Sequence, residues 1–461
     1  MNPGQALEFV RLLRLRERLR ARDLWSRERL LAFQARALAR LRHDAVQHSP
    51  FYSVFHAGLQ GRPIDELPIL TKQQAMEEFD RIVNDPHVRR ADVERHVVEA
   101  KEEPYLGRYW VSATSGSTGR RGIFIFDPDE WRMVLTSFGR GSDWAGLGAS
   151  LRRRVRVATV TTRSTFHMSA RAGATLPRFW LPTLRLDAAA PIRQLAARLD
   201  GWRPEVLVTY PSIAVMLAEE AIAGRLGIAP RIVETGAEML SPAARTLIER
   251  AWGCRVFDQY GATETGGIAA ECEAHRGLHV FEDLVLVESV DSDSRAVPAG
   301  VLGERLLVTV LFGRSFPLIR YELSDQVRLS AEPCPCGRPF RLIEAIEGRA
   351  EETLSLPGRD GGTAKLHPIV LHQLLDKVAA RAWQVIHDEA SGTLEVQLVG
   401  PSDEGVAGGL AASLERTLAE HGSAVPVSVR VVGSVDRGPT GKVPLIRTER
   451  AERREAATDA P

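Results

Sequence analysis

Short apolar segments alternate with helical segments through the middle of this chain, and that alternation restricts its fold more than any other feature. The predicted strands lie at 123–126, 155–160, 206–210, 231–235 and 254–260, and predicted helices such as 212–224 and 241–252 lie between them. Strands and helices that alternate in this way are typical of crossover units, which build a sheet with helices packed on it. We therefore predict an α/β fold.

The chain before this region is predicted to be helical. Residues 5–48 carry leucines at near-helical spacing among arginines and glutamates, which predicts a helix with one solvated face. Residues 68–80 predict another helix, with Thr71 placed as its N-cap.

After residue 281 the pattern becomes β-rich, and the last stretch of the chain returns to mixed helices and strands. Residues 348–362 are rich in glycine and charge, a composition typical of a hinge. We predict a large N-terminal α/β domain with a β-rich subdomain over 1–348, and a small, mobile α+β C-terminal domain over 349–461.

Composition and charge argue against several classes of protein. The chain has 461 residues, with 60 basic and 59 acidic side chains and a formal net charge of +1. Proteins specialised for nucleic acids or membrane surfaces usually carry a clear basic excess. No apolar run approaches the roughly 20 residues of a membrane span. We expect a cytoplasmic protein that binds neither nucleic acid nor a membrane.

Two segments carry residues that suit a nucleotide. Residues 114–119 (TSGSTG) are small or hydroxyl-bearing, so backbone N–H groups and hydroxyls can approach an anion closely. Residues 258–267 (DQYGATETGG) follow an apolar strand. In that segment the ring of Tyr260 can stack on a base, while Thr263 and Glu264 can reach a phosphate and its Mg²⁺.

Together these segments resemble the ANL superfamily of adenylate-forming enzymes, and most closely its phenylacetate–CoA ligase branch. The resemblance extends to further segments in the family's order: 48–79, VETGAEML at 233–240, LIRYELSD at 318–325, EGRAEET at 347–353 and DRGPTGKVPLIR at 436–447. Several motifs in the right order are far more specific than any one of them.

The resemblance implies which residues contact the nucleotide. They belong to the phosphate loop, the segment bordering the acyl-adenylate pocket, the adenine motif, the ribose-binding position and the hinge: Thr114, Ser115, Gly116, Ser117, Thr118, Gly119, Gly236, Ala237, Glu238, Tyr260, Gly261, Asp325 and Arg349. In the family, the aspartate that corresponds to Asp325 binds the ribose hydroxyls. Glu351 would lie at the pivot of the hinge.

The resemblance also implies the reaction. A carboxylic acid, small and aromatic in this branch, would be activated by ATP and Mg²⁺ as acyl-AMP, with release of pyrophosphate, and then transferred to coenzyme A. Lys442 would stabilise charge on the phosphates, and Thr263 and Glu264 would hold the magnesium. The small domain would then rotate and carry Lys442 away.

Two segments depart from the family's pattern. Arg120 and Arg121 end the phosphate loop where the family usually has a lysine. Residues 355–368 replace the usual glycine-rich segment near the pantetheine tunnel. The second departure leaves an alternative open, in which the activated group passes to an amine, a carrier-protein thiol or another nucleophile.

The four cysteines suggest a metal site. Cys254 opens an apolar strand and is predicted to be a core thiol. Cys272, Cys334 and Cys336, with a histidine at 275 or 279, could supply the four N/S donors of tetrahedral zinc.

Some members of the phenylacetate–CoA ligase branch carry a structural zinc in these regions, and that resemblance favours His279 as the fourth ligand. Such a site would hold loops together without taking part in chemistry. A zinc-containing nucleotide-binding protein, with its arginine-rich N-terminus bound to RNA, is the non-enzymatic alternative. The sequence leaves the question of a homodimer open.

Overall fold

The computed structural model describes most of the chain. The described residues are 3–99, 103–114, 122–148, 153–162, 168–175, 180–188, 190, 192–349, 354–359, 361–366, 371, 374–375, 378, 380, 382–400, 404–436 and 446–449. They form two compact units, one of Met1–Leu240 with Arg245–Ile346 and one of Ser241–Ala244 with Glu347–Pro461. Within these ranges no helix is long and apolar enough to cross a membrane.

The first unit begins with helices α1 (Pro3–Arg22), α2 (Arg27–His48), α3 (Pro50–Phe55), α4 (Lys72–Glu77), α5 (Phe79–Ile82) and α6 (Arg90–Val98). The prediction of one unbroken helix over 5–48 is wrong at residues 23–26. There the chain turns, and Ser26 starts a new helix by accepting a hydrogen bond from the Arg29 N–H at 3.2 Å. Thr71 caps α4 as predicted, since its hydroxyl accepts from the Gln74 N–H at 3.2 Å.

The helices and strands that follow are β1 (Trp110–Ala113), β2 (Ile123–Phe126), α7 (Pro128–Trp144), β3 (Val157–Thr161), α8 (Met168–Thr175), β4 (Thr183–Asp187), α9 (Ile192–Trp202), β5 (Val206–Thr209), α10 (Pro211–Ile222), β6 (Ile232–Gly236), α11 (Pro242–Trp252), β7 (Arg255–Ala262), β8 (Gly266–Glu271), β9 (Leu278–Val280), β10 (Val285–Val290), β11 (Arg305–Val310), β12 (Tyr321–Leu323), β13 (Asp325–Leu329) and β14 (Leu342–Arg349).

A nine-stranded sheet in the order β13-β14-β9-β8-β7-β6-β5-β3-β4 organises this unit. The strands from β4 to β7 pair in parallel, and their connections are helical, which confirms the predicted α/β fold. Strands β8 and β9 are antiparallel additions, so β7 and β8 form a hairpin. The β-rich part includes a three-stranded sheet in the order β10-β11-β12.

The second unit contains the strands β15 (Leu354–Pro357), β16 (Thr363–Leu366), β17 (Ala382–Asp388), β18 (Thr393–Val399), β19 (Val427–Val432) and β20 (Ile446–Glu449), and the helix α12 (Glu404–Glu420). Four of the strands form a sheet in the order β19-β18-β17-β20, and buried leucines and valines of α12 and this sheet share one core. Four residues of the segment predicted as a hinge, 348–362, form the strand β15, which pairs with β16.

Candidate functional site

The two ends of the phosphate loop lie against each other. Ser115, Gly116, Ser117, Thr118 and Gly119, together with Arg120 and Arg121, fall outside the described residues. On either side of them, the Thr114 N–H donates to the Gly122 carbonyl at 2.9 Å, and the Gly122 N–H donates to the Thr114 hydroxyl at 2.8 Å. Thr114 and Gly122, which follow β1 and precede β2, are thus hydrogen-bonded to each other and form the base of the loop.

Lys72, the first residue of α4, lies beside this base. A Cβ built on Gly122 would be 3.1 Å from the Cε of Lys72, so the end of the lysine side chain packs against the glycine. The sequence assigned Lys72 no role. The available signal was its scarcity, since it is one of only five lysines among 60 basic residues.

The adenine motif lies on the β7–β8 hairpin. Tyr260 and Gly261 are in β7, at a point where the pairing with β8 shifts register. Thr263 and Glu264 lie in the turn, where the Glu264 side chain is only 8% exposed. A Cβ on Gly261 would lie 2.8 Å from the Gly266 carbonyl oxygen, so only glycine allows the two strands to approach this closely.

Tyr260 and Asp325 come together although they are far apart in the sequence. The Tyr260 hydroxyl donates a hydrogen bond to the Asp325 Oδ2 at 2.7 Å. The adenine motif and the residue assigned to the ribose therefore lie side by side.

The segment from Gly236 to Glu238 continues from β6 beside β7. A Cβ on Gly236 would lie 2.7 Å from the Gln259 carbonyl oxygen, which makes glycine necessary there. Ala237 has a φ of 67°, a left-handed conformation that a residue other than glycine rarely adopts. The Glu238 carboxylate accepts from the Ser212 N–H at 3.1 Å and from its hydroxyl at 3.2 Å, at the start of α10.

Two buried acids beneath this segment were missed by the sequence analysis. Burial raises the pKa of Glu234 to about 7, and burial also raises the pKa of Asp258 to about 7. The signal was present, because each acid directly follows two apolar residues within a predicted strand. Acids in such strands must be hydrogen-bonded or neutral, and both conditions are common near functional sites.

Three further residues of the predicted site cannot be placed with the others. Lys442 and Glu351 fall outside the described residues. Arg349 is the last residue of β14, and its side chain is outside the described part of the structure.

A separate cluster gathers the sulfur and imidazole donors. The ligand atoms of Cys272, His279, Cys334 and Cys336 all lie within 4.8 Å of one another. The Sγ atoms of Cys272 and Cys334 are 3.7 Å apart, and the Cys336 Sγ is 3.2 Å from the His279 Nε2. Tetrahedral zinc with ordinary bond lengths separates its ligand atoms by about 3.5–3.8 Å, so the donor set fits zinc.

The surroundings of this cluster favour metal binding at two of its donors, while burial raises the pKa of the Cys272 and Cys334 thiols. The His279 Nδ1 lies 3.3 Å from the Phe340 carbonyl oxygen, which would fix the proton there and leave Nε2 free to ligate. Burial raises the pKa of the Cys336 thiol, but hydrogen bonds from Arg338 outweigh that effect and lower it. His275 lies elsewhere, 3.4 Å from the Glu271 carboxylate.

The chain is similar in sequence to phenylacetate–coenzyme A ligases. No family model matches the chain. Over 347 residues it is 28% identical to the phenylacetate–coenzyme A ligase of Thermus thermophilus, covering 72% of this chain and 73% of that protein. It is 29% identical over 259 residues to the phenylacetate–coenzyme A ligase of Escherichia coli, covering 54% of this chain and 56% of that one.

The fold is shared with a solved structure. A 2-hydroxyisobutyryl-CoA ligase in the postadenylation state, in complex with R3-HIB-AMP, matches with a TM-score of 0.71 and 21% identity, over 93% of this chain and 91% of the other.

Proposed function

Because the chain is an adenylate-forming enzyme of the ANL superfamily, related to phenylacetate–CoA ligases, we propose that it activates a small aromatic carboxylic acid as acyl-AMP and transfers the acyl group to coenzyme A. The observation that carries the nucleotide site is the 2.7 Å hydrogen bond between Tyr260 and Asp325, which joins two distant motifs at one place.

In the first half-reaction a carboxylate oxygen attacks the α-phosphorus of ATP, and pyrophosphate leaves. Tyr260 would stack on the adenine, and the Asp325 carboxylate would accept hydrogen bonds from the ribose hydroxyls. Residues 114–119 would donate backbone and hydroxyl hydrogen bonds to the phosphates. Gly236, Ala237 and Glu238 would border the bound acyl-adenylate.

Cations near the phosphates supply the electrostatic part of catalysis. Lys72 lies at the base of the phosphate loop, so its ammonium would stabilise the leaving pyrophosphate. Lys442 would act on charge that develops at the α-phosphate.

Glu264 and Thr263 offer the oxygen ligands that Mg²⁺ prefers, and the buried Glu264 carboxylate suits a cation. The metal would screen the repulsion between the triphosphate and the attacking carboxylate.

In the second half-reaction the thiolate of coenzyme A attacks the acyl carbonyl carbon, and AMP leaves. Acceptance of the acyl group by an amine or a carrier-protein thiol is the alternative, because residues 355–368 depart from the family's pattern.

The cluster of Cys272, His279, Cys334 and Cys336 would hold a structural zinc. We propose a cytoplasmic location.

Exchange of labelled pyrophosphate into ATP tests the first half-reaction. We expect exchange that depends on an aromatic acid, tested across a panel of aromatic, heteroaromatic and short aliphatic acids. Absence of exchange with every acid would contradict the proposal and favour a nucleotide-binding protein without catalysis. Adding coenzyme A, amines or a carrier protein to the best acid then identifies the acceptor from the acylated product.

A further inference from the structure

A buried hydrogen-bond network, the knot, consists of Glu234, Gln259 and Ser142 and joins β6, β7 and α7 beneath the nucleotide residues. The Glu234 Oε2 on β6 accepts from the Gln259 Nε2 on β7 at 2.9 Å and from the Ser142 hydroxyl on α7 at 2.8 Å. Glu234 is 2% exposed, so water cannot replace either bond readily. One oxygen atom thereby fixes the spacing of two strands and a helix.

This knot lies directly against the site. Gln259 precedes Tyr260 in β7, at the register shift between Tyr260 and Gly261. Its carbonyl oxygen is the atom that a Cβ on Gly236 would meet at 2.7 Å. Tyr260 therefore directly follows Gln259 in the chain, and the pocket segment packs against the backbone of Gln259.

The helix α7 leaves room for the knot at one glycine. A Cβ on Gly141 would meet three atoms of the Gln259 amide group at 2.7–2.9 Å. A Cβ on Gly139, in the same helix, would have nothing within 4 Å. The position of Gln259 thus depends on both the acceptor at Glu234 and the missing side chain at Gly141.

We propose that Glu234 is a positioning residue of the nucleotide site, which acts through Gln259 to hold Tyr260 where it receives the adenine. The inference rests on the proposed function and concerns a residue of the segment 233–240 to which the resemblance assigns no role. Loss of the knot lets β7 shift at its irregular point, so it weakens nucleotide binding more than the chemical step.

The first test compares two variants of Glu234. In Glu234→Gln the amide oxygen can accept both hydrogen bonds, and the amide nitrogen takes the place of Oε1, which has no hydrogen-bond partner among the described residues. In Glu234→Met the volume is similar but no acceptor remains. We expect Glu234→Met to raise the Kd and KM for ATP on the order of tenfold, with little change in kcat. Glu234→Gln should have values near those of the wild type.

The second test displaces Gln259 without touching Glu234. Gly141→Ala should raise the Kd for ATP in the same way as Glu234→Met, and combining the two should add little. Gly139→Ala is the matched control, because it adds the same methyl group to the same helix in open space. That variant should bind ATP as the wild type does.

Direct titration with ATP and thermal unfolding of each variant separate the outcomes. A Glu234→Met variant that is folded and binds ATP like the wild type would overturn the inference, while exchange activity of the wild type would leave the proposed function standing. Equal losses of ATP affinity in Gln and Met would also overturn it, since charge and not hydrogen bonding would then matter. A wild type that does not bind ATP would contradict both.

Discussion

Burial of Glu234 reverses the pH dependence that an acidic residue usually gives to stability. Burial, with Asp143 nearby, raises the pKa of Glu234 from 4.5 to about 7, against the lowering effects of Ser142, Gln259 and Arg231. The folded state therefore holds this proton more tightly than the unfolded chain does. The free energy of unfolding should fall as the pH rises between about 4.5 and about 7.

The measurement is urea unfolding of the wild type and of Glu234→Gln at pH 5 and pH 8. The wild type should lose up to about 3 kcal/mol relative to the variant across that interval. Glu282→Gln gives the opposite sign, because Arg27 and Arg341 outweigh burial and lower the pKa of Glu282. A difference between wild type and Glu234→Gln that is independent of pH would show that Glu234 titrates normally.

Asp325 should contribute to ATP affinity through its charge. Asp325→Ala would remove the proposed acceptor for two ribose hydroxyls, and each charge-assisted hydrogen bond is worth on the order of 1.5–3 kcal/mol. Tyr260→Phe is the matched control, since it removes only the hydroxyl that donates to Asp325 and keeps the ring. Calorimetric titration with ATP should show a large loss for the first variant and a small one for the second. Equal affinities for Asp325→Ala and wild type would remove Asp325 from the site.

At the scale of elements, the metal cluster should act on stability. Its donors come from the end of β8, from β9 and from the loop before β14, so a bound zinc would tie these segments together. We expect about one zinc per chain by elemental analysis of protein purified without added metal. Cys334→Ser should lower the melting temperature, because the binding energy of a closed site is folding energy.

Cys254→Ser is the control for that experiment. Cys254 is also buried, but it does not belong to the cluster, and burial raises the pKa of its thiol to about 11. Its replacement should leave the zinc content unchanged. A folded and active protein without metal would contradict the assignment of a structural zinc.

The elements also show what local sequence can predict. Four of the five parallel strands, β3, β5, β6 and β7, were predicted from short apolar segments, because a strand covered on both faces is mostly apolar. The strand β4 (Thr183–Asp187) was missed, since only two of its five residues are apolar. The break at residues 23–26 was missed, since the leucine spacing continues across it and only the capping bond of Ser26 marks the new helix. The ordering of β15 was missed because glycine and charge also suit a hairpin.

At the scale of the molecule, the family motifs predicted which distant residues lie close together, and the side-chain contacts show how the fold positions them. The proximity of Tyr260 and Asp325 followed from the resemblance, because no local pattern links residues so far apart in sequence. The roles of Glu234 and Gly141 could not be predicted, because they depend on side-chain packing between β6, β7 and α7. Local periodicity carries no information about such contacts.

Replacement of Lys442 should divide the two half-reactions. The resemblance implies that this lysine serves acyl-AMP formation and is carried away before transfer. Lys442→Ala should therefore slow acid-dependent pyrophosphate exchange by about 10²–10³-fold, the scale of a lost transition-state charge contact. The same variant, supplied with acyl-adenylate and the correct acceptor, should transfer the acyl group at nearly the wild-type rate.

Lys365→Ala is the matched control, because it removes another of the few lysines from the same unit. It should leave pyrophosphate exchange intact, which shows that the loss of a positive charge from this unit is not itself harmful. Rapid-quench measurement of each half-reaction separates the possibilities. Equal losses in both half-reactions of Lys442→Ala would contradict the division of labour, because a residue needed throughout cannot be specific to adenylation. Unchanged exchange would exclude Lys442 from the mechanism, and the cations at the phosphate loop would then have to supply the charge stabilisation alone.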